Sequence, residues 1–114
     1  MIQVSPRDKI FIAIKPVDFR IGLDSAILLS KRFKAEPFSG AFFVFINKRK
    51  SSIKILAYDG QGMWLMQKRL SEGKFTWWPS SESELAVIDP KNFIILLFNS
   101  DTKTLTAQKN WRNV

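Results

Sequence analysis

Apolar positions change their period three times along the chain. Lys9-Ile10-Phe11-Ile12-Ala13-Ile14 is a short apolar run rich in β-branched residues. Pro16, which has no N–H to donate and biases Lys15 towards extended backbone, closes it as a first strand. The spacing then widens. Phe19, Leu23, Ile27, Ser30 and Phe33 recur at helical intervals with Ala26 alongside, which predicts a helix over about 18–34, N-capped by Asp18 and ended by Glu36-Pro37.

From Ala41 the pattern shortens again. Phe42-Phe43-Val44-Phe45-Ile46 is aromatic and β-branched, and the polar Asn47-Lys48-Arg49-Lys50-Ser51-Ser52 separates it from Ile53 to Tyr58, as in a hairpin with a basic loop. Asp59-Gly60-Gln61-Gly62 supplies a tight turn into Met63 to Leu70, because an Asp-Gly pair tolerates the positive φ angles such turns need. A third turn at Ser71-Glu72-Gly73 returns the chain through Lys74-Phe75-Thr76-Trp77-Trp78 to Pro79, and Ser80 to Glu84 reads as a polar link. Asp89-Pro90 then sets an N-cap and a first-turn proline ahead of the apolar Phe93 to Phe98, a short helix over about 90–98. The expected fold class is α+β: one small domain over 1–100, an antiparallel meander of about four to five strands, one longer helix and one short C-terminal helix. The polar, aperiodic residues 101–114 are expected to be a flexible tail, pinned at most by Trp111.

Composition narrows the function classes. The chain has 114 residues, 46% of them hydrophobic, which suits one buried core. Without cysteine there are no disulfides or thiolate metal sites, and a reducing cytoplasm fits best. The apolar stretch Ile10 to Ile14 is too short for a signal-peptide core or a membrane span, so a cytoplasmic protein with no membrane partner is expected. Without histidine there is no imidazole base and no ordinary zinc site. No glycine-rich phosphate loop precedes a helix, since Gly60-Gln61-Gly62 sits in a hairpin. The expectation is a protein that is not an enzyme, with no catalytic residue, metal or cofactor.

Charge sharpens the picture. There are 18 Lys and Arg against 10 Asp and Glu, a net +8 that favours polyanionic partners. Met1 to Ser30 contributes +1, Lys31 to Lys74 contributes +7, and Phe75 to Val114 contributes nothing. Lys48, Arg49, Lys50 and Lys54, with Lys68, Arg69 and Lys74 from neighbouring strands, are therefore candidate DNA contacts, salt-dependent because they would meet phosphates. The plainer reading is a solvated hairpin tip that protects a strand edge. Trp64, Trp77 and Trp78 lie among these cations as candidates for base stacking or partner docking, against the plainer reading of core packing. Trp77 and Trp78 would face opposite sides of a regular strand. Asp18 and Asp24, with Arg20 between them, could be read as a carboxylate pair for a divalent ion, but six residues suit one helical face poorly, and Asp18 as a helix cap with Arg20 and Asp24 on the surface or ion-paired is the better reading.

One resemblance ties these segments together. Pro37-Phe38-Ser39-Gly40, Phe43-Val44-Phe45, Ile53-Lys54-Ile55-Leu56, Tyr58-Asp59-Gly60, Lys68-Arg69-Leu70 and Gly73-Lys74-Phe75-Thr76-Trp77 together look like the TnpB-type (Orf2-like) accessory protein of the insertion-sequence-sixty-six transposon family. Asp18, Arg20, Gly22 and Asp24 match that family's Asp-Met-Arg-Lys-Gly-x-Asp signature, with Phe19 and Ile21 in place of Met and Lys, and Ala57-Tyr58 in place of a common Trp-Trp pair. The resemblance implies a bacterial, non-catalytic role in transposition beside a larger transposase of the same element, in association with DNA. A protein-interaction module that docks on the transposase without touching DNA is the alternative.

Overall fold

The computed structural model describes residues 9–33 and 36–98. The tail expected at 101–114, with Trp111, lies outside them. Five strands and two helices follow in the order β1 (Ile10–Ala13), α1 (Leu23–Arg32), β2 (Phe42–Ile46), β3 (Ser52–Tyr58), β4 (Met63–Arg69), β5 (Leu85–Ile88) and α2 (Pro90–Leu97). All five strands join one sheet in the order β4-β3-β2-β1-β5.

The α+β class is as expected, but the sheet is mixed and not a simple meander. β2, β3 and β4 pair antiparallel in sequence, whereas β1 pairs parallel with β2, with α1 in the crossover, and antiparallel with β5. A parallel pair needs such a crossover, and the helix supplies it. Two assignments change with this topology. Lys74–Trp78 is not a strand: it leaves β4 at one edge of the sheet and crosses the core, burying Phe75 and resting Trp77 and Trp78 on the same apolar cluster. Leu85–Ile88, where the pattern marks no element, forms the opposite edge strand, too short to show a period of its own.

Period two sorts the side chains of the strands onto two covered faces. Ile10, Ile12, Phe42, Val44, Ile46, Ile53, Ile55 and Ala57 face the layer made by α2 and the Phe75–Trp78 crossing. Ala13, Phe43, Phe45 and Leu56 face α1 and the segment that leads into it. Because both faces are covered, β2 is buried along its whole length, which explains its unbroken apolar run.

Helix α1 begins at Leu23, later than the spacing predicts. Gly22 is its N-cap with extended angles, φ −97° and ψ −167°, and no side chain caps the helix. Asp18 is engaged with Arg20 instead, and residues 18–22 form a loop. The buried stripe is also rotated from the expected one. Ala26 and Ser30 are buried while Leu23 is 38% exposed, and the Ser30 hydroxyl donates to the Ile27 carbonyl at 2.8 Å, so a polar residue sits inside the stripe at no cost in hydrogen bonds. Helix α2 follows the expected pattern: the Asp89 side chain accepts from the Asn92 N–H at 2.7 Å and Pro90 opens the first turn.

Candidate nucleic-acid interface

The β2–β3 hairpin tip is held by its own polar residues. Asn47 Oδ1 accepts from the backbone N–H groups of Ser51 and Ser52 at 2.9 and 3.1 Å, and its Nδ2 donates to Ser51 Oγ. Lys50 donates its N–H to the Asn47 carbonyl at 3.0 Å and takes the left-handed φ of 59°. With the turn fixed in this way, Lys48, Arg49 and Lys50 are all exposed. Among the described residues, no hydrogen bond or ion pair engages the side chains of Lys48 or Arg49.

Strand pairing brings further cations to this end of the sheet. Arg69 pairs with Ser52, beside the tip. Lys74 lies next to Phe75, whose N–H donates to the Lys50 carbonyl at 2.8 Å. Five of the seven basic residues named from sequence (Lys48, Arg49, Lys50, Arg69 and Lys74) therefore gather where β2 and β4 end and β3 begins.

The other two are placed differently. Lys54 is only 8% exposed on the α1 face, and its Nζ donates to the Phe19 and Ile21 carbonyls at 3.0 and 2.7 Å, 5.1 Å from the Phe19 ring centre. It fastens the loop in front of α1 and is not a surface contact. Period two sends it to that face, and two carbonyls replace the water a buried ammonium loses. Lys68 faces the other side, where its Nζ donates to the Leu97 carbonyl and lies 5.8 Å from the Phe98 ring centre, a cation at the C-terminal end of α2.

The tryptophans also separate. Trp77 and Trp78 do not face opposite sides, since both are half-buried against one cluster, and Trp78 Nε1 donates to the Ala13 and Ile14 carbonyls at 3.2 and 3.1 Å. Trp64, on edge strand β4, is 56% exposed. Its Nε1 donates to Asp59 Oδ2 at 2.7 Å, at the sheet end away from the basic tip. Asp59 Oδ1 accepts from the N–H groups of Gln61 and Gly62. The Trp64 hydrogen bond, followed by those backbone donors, holds the Asp59 carboxyl below the usual range. Gly60 has the positive φ expected of this turn, 95°.

The neighbour of the basic tip comes from a distant part of the chain that no charge run marks. The Val17 N–H donates to the Ile46 carbonyl at 2.9 Å, which seats the loop before α1 against the end of β2. Val17, Asp18 and Phe19 from this loop and Asn47, Lys48 and Arg49 from the tip line an open cleft of about 290 Å³. Asp18 grips Arg20 at its side: Oδ2 accepts from Nη2 at 2.6 Å and Oδ1 from the Arg20 N–H at 2.9 Å. The Arg20 side-chain hydrogen bond, then its backbone one, holds the Asp18 carboxyl down at about 2, with a smaller lowering from Lys48. The Asp-x-Arg spacing, inside the signature that Asp18, Arg20, Gly22 and Asp24 match, is the signal in the sequence for this pair. No group of metal-ligating side chains occurs among the described residues, and no helix among them is long and apolar enough to cross a membrane.

Fold and surface together define a small mixed-sheet α+β protein with one strongly basic end. The chain belongs to the IS66 Orf2-like family, whose model matches residues 8–107, and its setting is therefore transposition by an insertion sequence. It is 35% identical to the uncharacterized protein y4hO of Sinorhizobium fredii, over 98% of this chain and 96% of the relative. It is also 35% identical to the uncharacterized protein y4jC of the same organism, over 89% of this chain and 86% of the relative. No solved structure matches it.

Proposed function

We propose that this protein is a non-catalytic, cytoplasmic accessory factor of transposition that contacts DNA phosphates with the basic end of its sheet, beside the transposase of the same element. The observation that carries this reading is the gathering of Lys48, Arg49, Lys50, Arg69 and Lys74 at one end of the sheet. Each cation that neutralises a phosphate releases counterions, so log affinity falls linearly with log salt, by about 0.9 per contact on duplex DNA. Titration of the pure protein into labelled duplex should show a steep slope, flattened by up to roughly 3 in the triple variant Lys48→Ala, Arg49→Ala, Lys50→Ala. Absence of binding by the pure protein at low salt ends the proposal.

A docking role on the transposase is the second reading, and one observation favours it. Trp64 is the tryptophan left exposed among the described residues, on a strand with one unpaired edge. Exposed aromatics on such edges anchor partners. Co-purification of the transposase that survives nuclease treatment, is lost with Trp64→Ala and persists after charge reversal at Lys48, Arg49 and Lys50 would establish docking as the principal contact.

A further inference from the structure

The cleft between the Val17–Phe19 loop and the hairpin tip joins two chemistries that are remote in sequence. Its side-chain acceptors are already engaged. Both Asp18 oxygens are committed to Arg20, and Asn47 Oδ1 to the Ser51 and Ser52 N–H groups. Its cations are not: Lys48 and Arg49 stand at one wall without a side-chain hydrogen bond or ion pair among the described residues. Arg20, beside the opposite wall, has a side chain 91% exposed although it is ion-paired, so much of its guanidinium still faces solvent. Free cationic donors beside engaged side-chain acceptors favour a ligand made of acceptors. A phosphodiester is such a ligand, and an Arg fork matches its oxygens.

We infer that this cleft seats a backbone phosphate of duplex DNA, that Arg20 is a further phosphate-binding residue, and that Asp18 and Lys54 are its positioning residues. The inference rests on the DNA-contact reading and deepens it. Asp18 fixes the guanidinium from below, so the side chain is presented in one orientation. Lys54, 33 and 35 residues away from its two acceptors, clamps the loop at Phe19 and Ile21 on either side of Arg20. Arg20 is thus held by its neighbour Asp18 and by the sheet, and a pre-oriented donor loses less freedom on binding.

The decisive variant is Asp18→Asn. It raises the net charge by one, so charge alone predicts tighter DNA binding. Positioning predicts the reverse, because the carboxylate that orients Arg20 is gone. Binding of one duplex should therefore weaken severalfold in Asp18→Asn and roughly tenfold in Arg20→Ala at low salt, with the salt slope of Arg20→Ala reduced by about 1 and Arg20→Lys intermediate. Arg20→Ala combined with Arg49→Ala should lose less than the product of the two single effects, since both hold one phosphate. Thermal melting of each variant should match the wild type, because the Arg20 and Asp18 side chains are both on the surface. Tighter binding by Asp18→Asn, or wild-type affinity in Arg20→Ala while the Lys48, Arg49, Lys50 triple variant is weakened, overturns this inference and leaves the general reading standing. No binding by the wild type overturns both.

Discussion

Lys50 adopts a left-handed backbone that costs a side chain with a Cβ about 1–2 kcal/mol, and it does so in a turn where glycine would fit without strain. Lys50→Gly should therefore raise stability by about 1 kcal/mol in urea unfolding while weakening DNA binding, a trade that would account for a cation at this position. Lys54 is the opposite case, a cation whose value is internal. Lys54→Met removes the donor for two carbonyls and should lower stability by about 1–3 kcal/mol. A surface phosphate contact would instead lose affinity at unchanged stability. Asp59 gives a pH signature. Its folded carboxyl titrates below the usual range, so its link to Trp64 holds above that range and is lost as pH falls through the depressed value. The Trp64 Nε1–H resonance should stay in place at mildly acidic pH, move only in stronger acid, and be displaced at neutral pH in Asp59→Asn.

At the scale of elements, legibility followed how local the cause was. Asp89-Pro90 makes a cap from adjacent residues, so α2 could be read directly, and Asp89→Ala should cost about 1 kcal/mol in thermal unfolding. The start of α1 could not be read in this way. Asp18 has the chemistry of a cap, but it is drawn to Arg20, and the carbonyls of Phe19 and Ile21 are drawn to a lysine more than thirty residues on. Gly22 caps the helix with its backbone alone and has open space where a Cβ would go, so Gly22→Ser should stabilise by a few tenths of a kcal/mol. The Phe75–Trp78 segment misleads for a related reason: aromatic, β-branched composition marks burial, and here the burial is across a sheet face and not in a ladder. The candidate site divides along the same line. Its hairpin tip is contiguous and visible as a charge run, whereas Asp18, which holds Arg20, reaches the cleft beside it through the folding of Val17 onto Ile46.

For the whole molecule, the net +8 is less informative than its placement, since the same charge spread evenly would serve solubility as well as it would DNA. Ile10 pairs with Ile88, so β1 lies between β2 and a strand made more than seventy residues after it. Until Leu85–Ile88 leaves the ribosome, β1 offers an open ladder to any extended peptide nearby. High contact order of this sort slows folding, and the nascent chain has to wait for its own late residues. A chain stopped after Glu84 should collect in aggregates when expressed, while one carried through α2 should not. The timing of translation is thereby built into the order of the sheet.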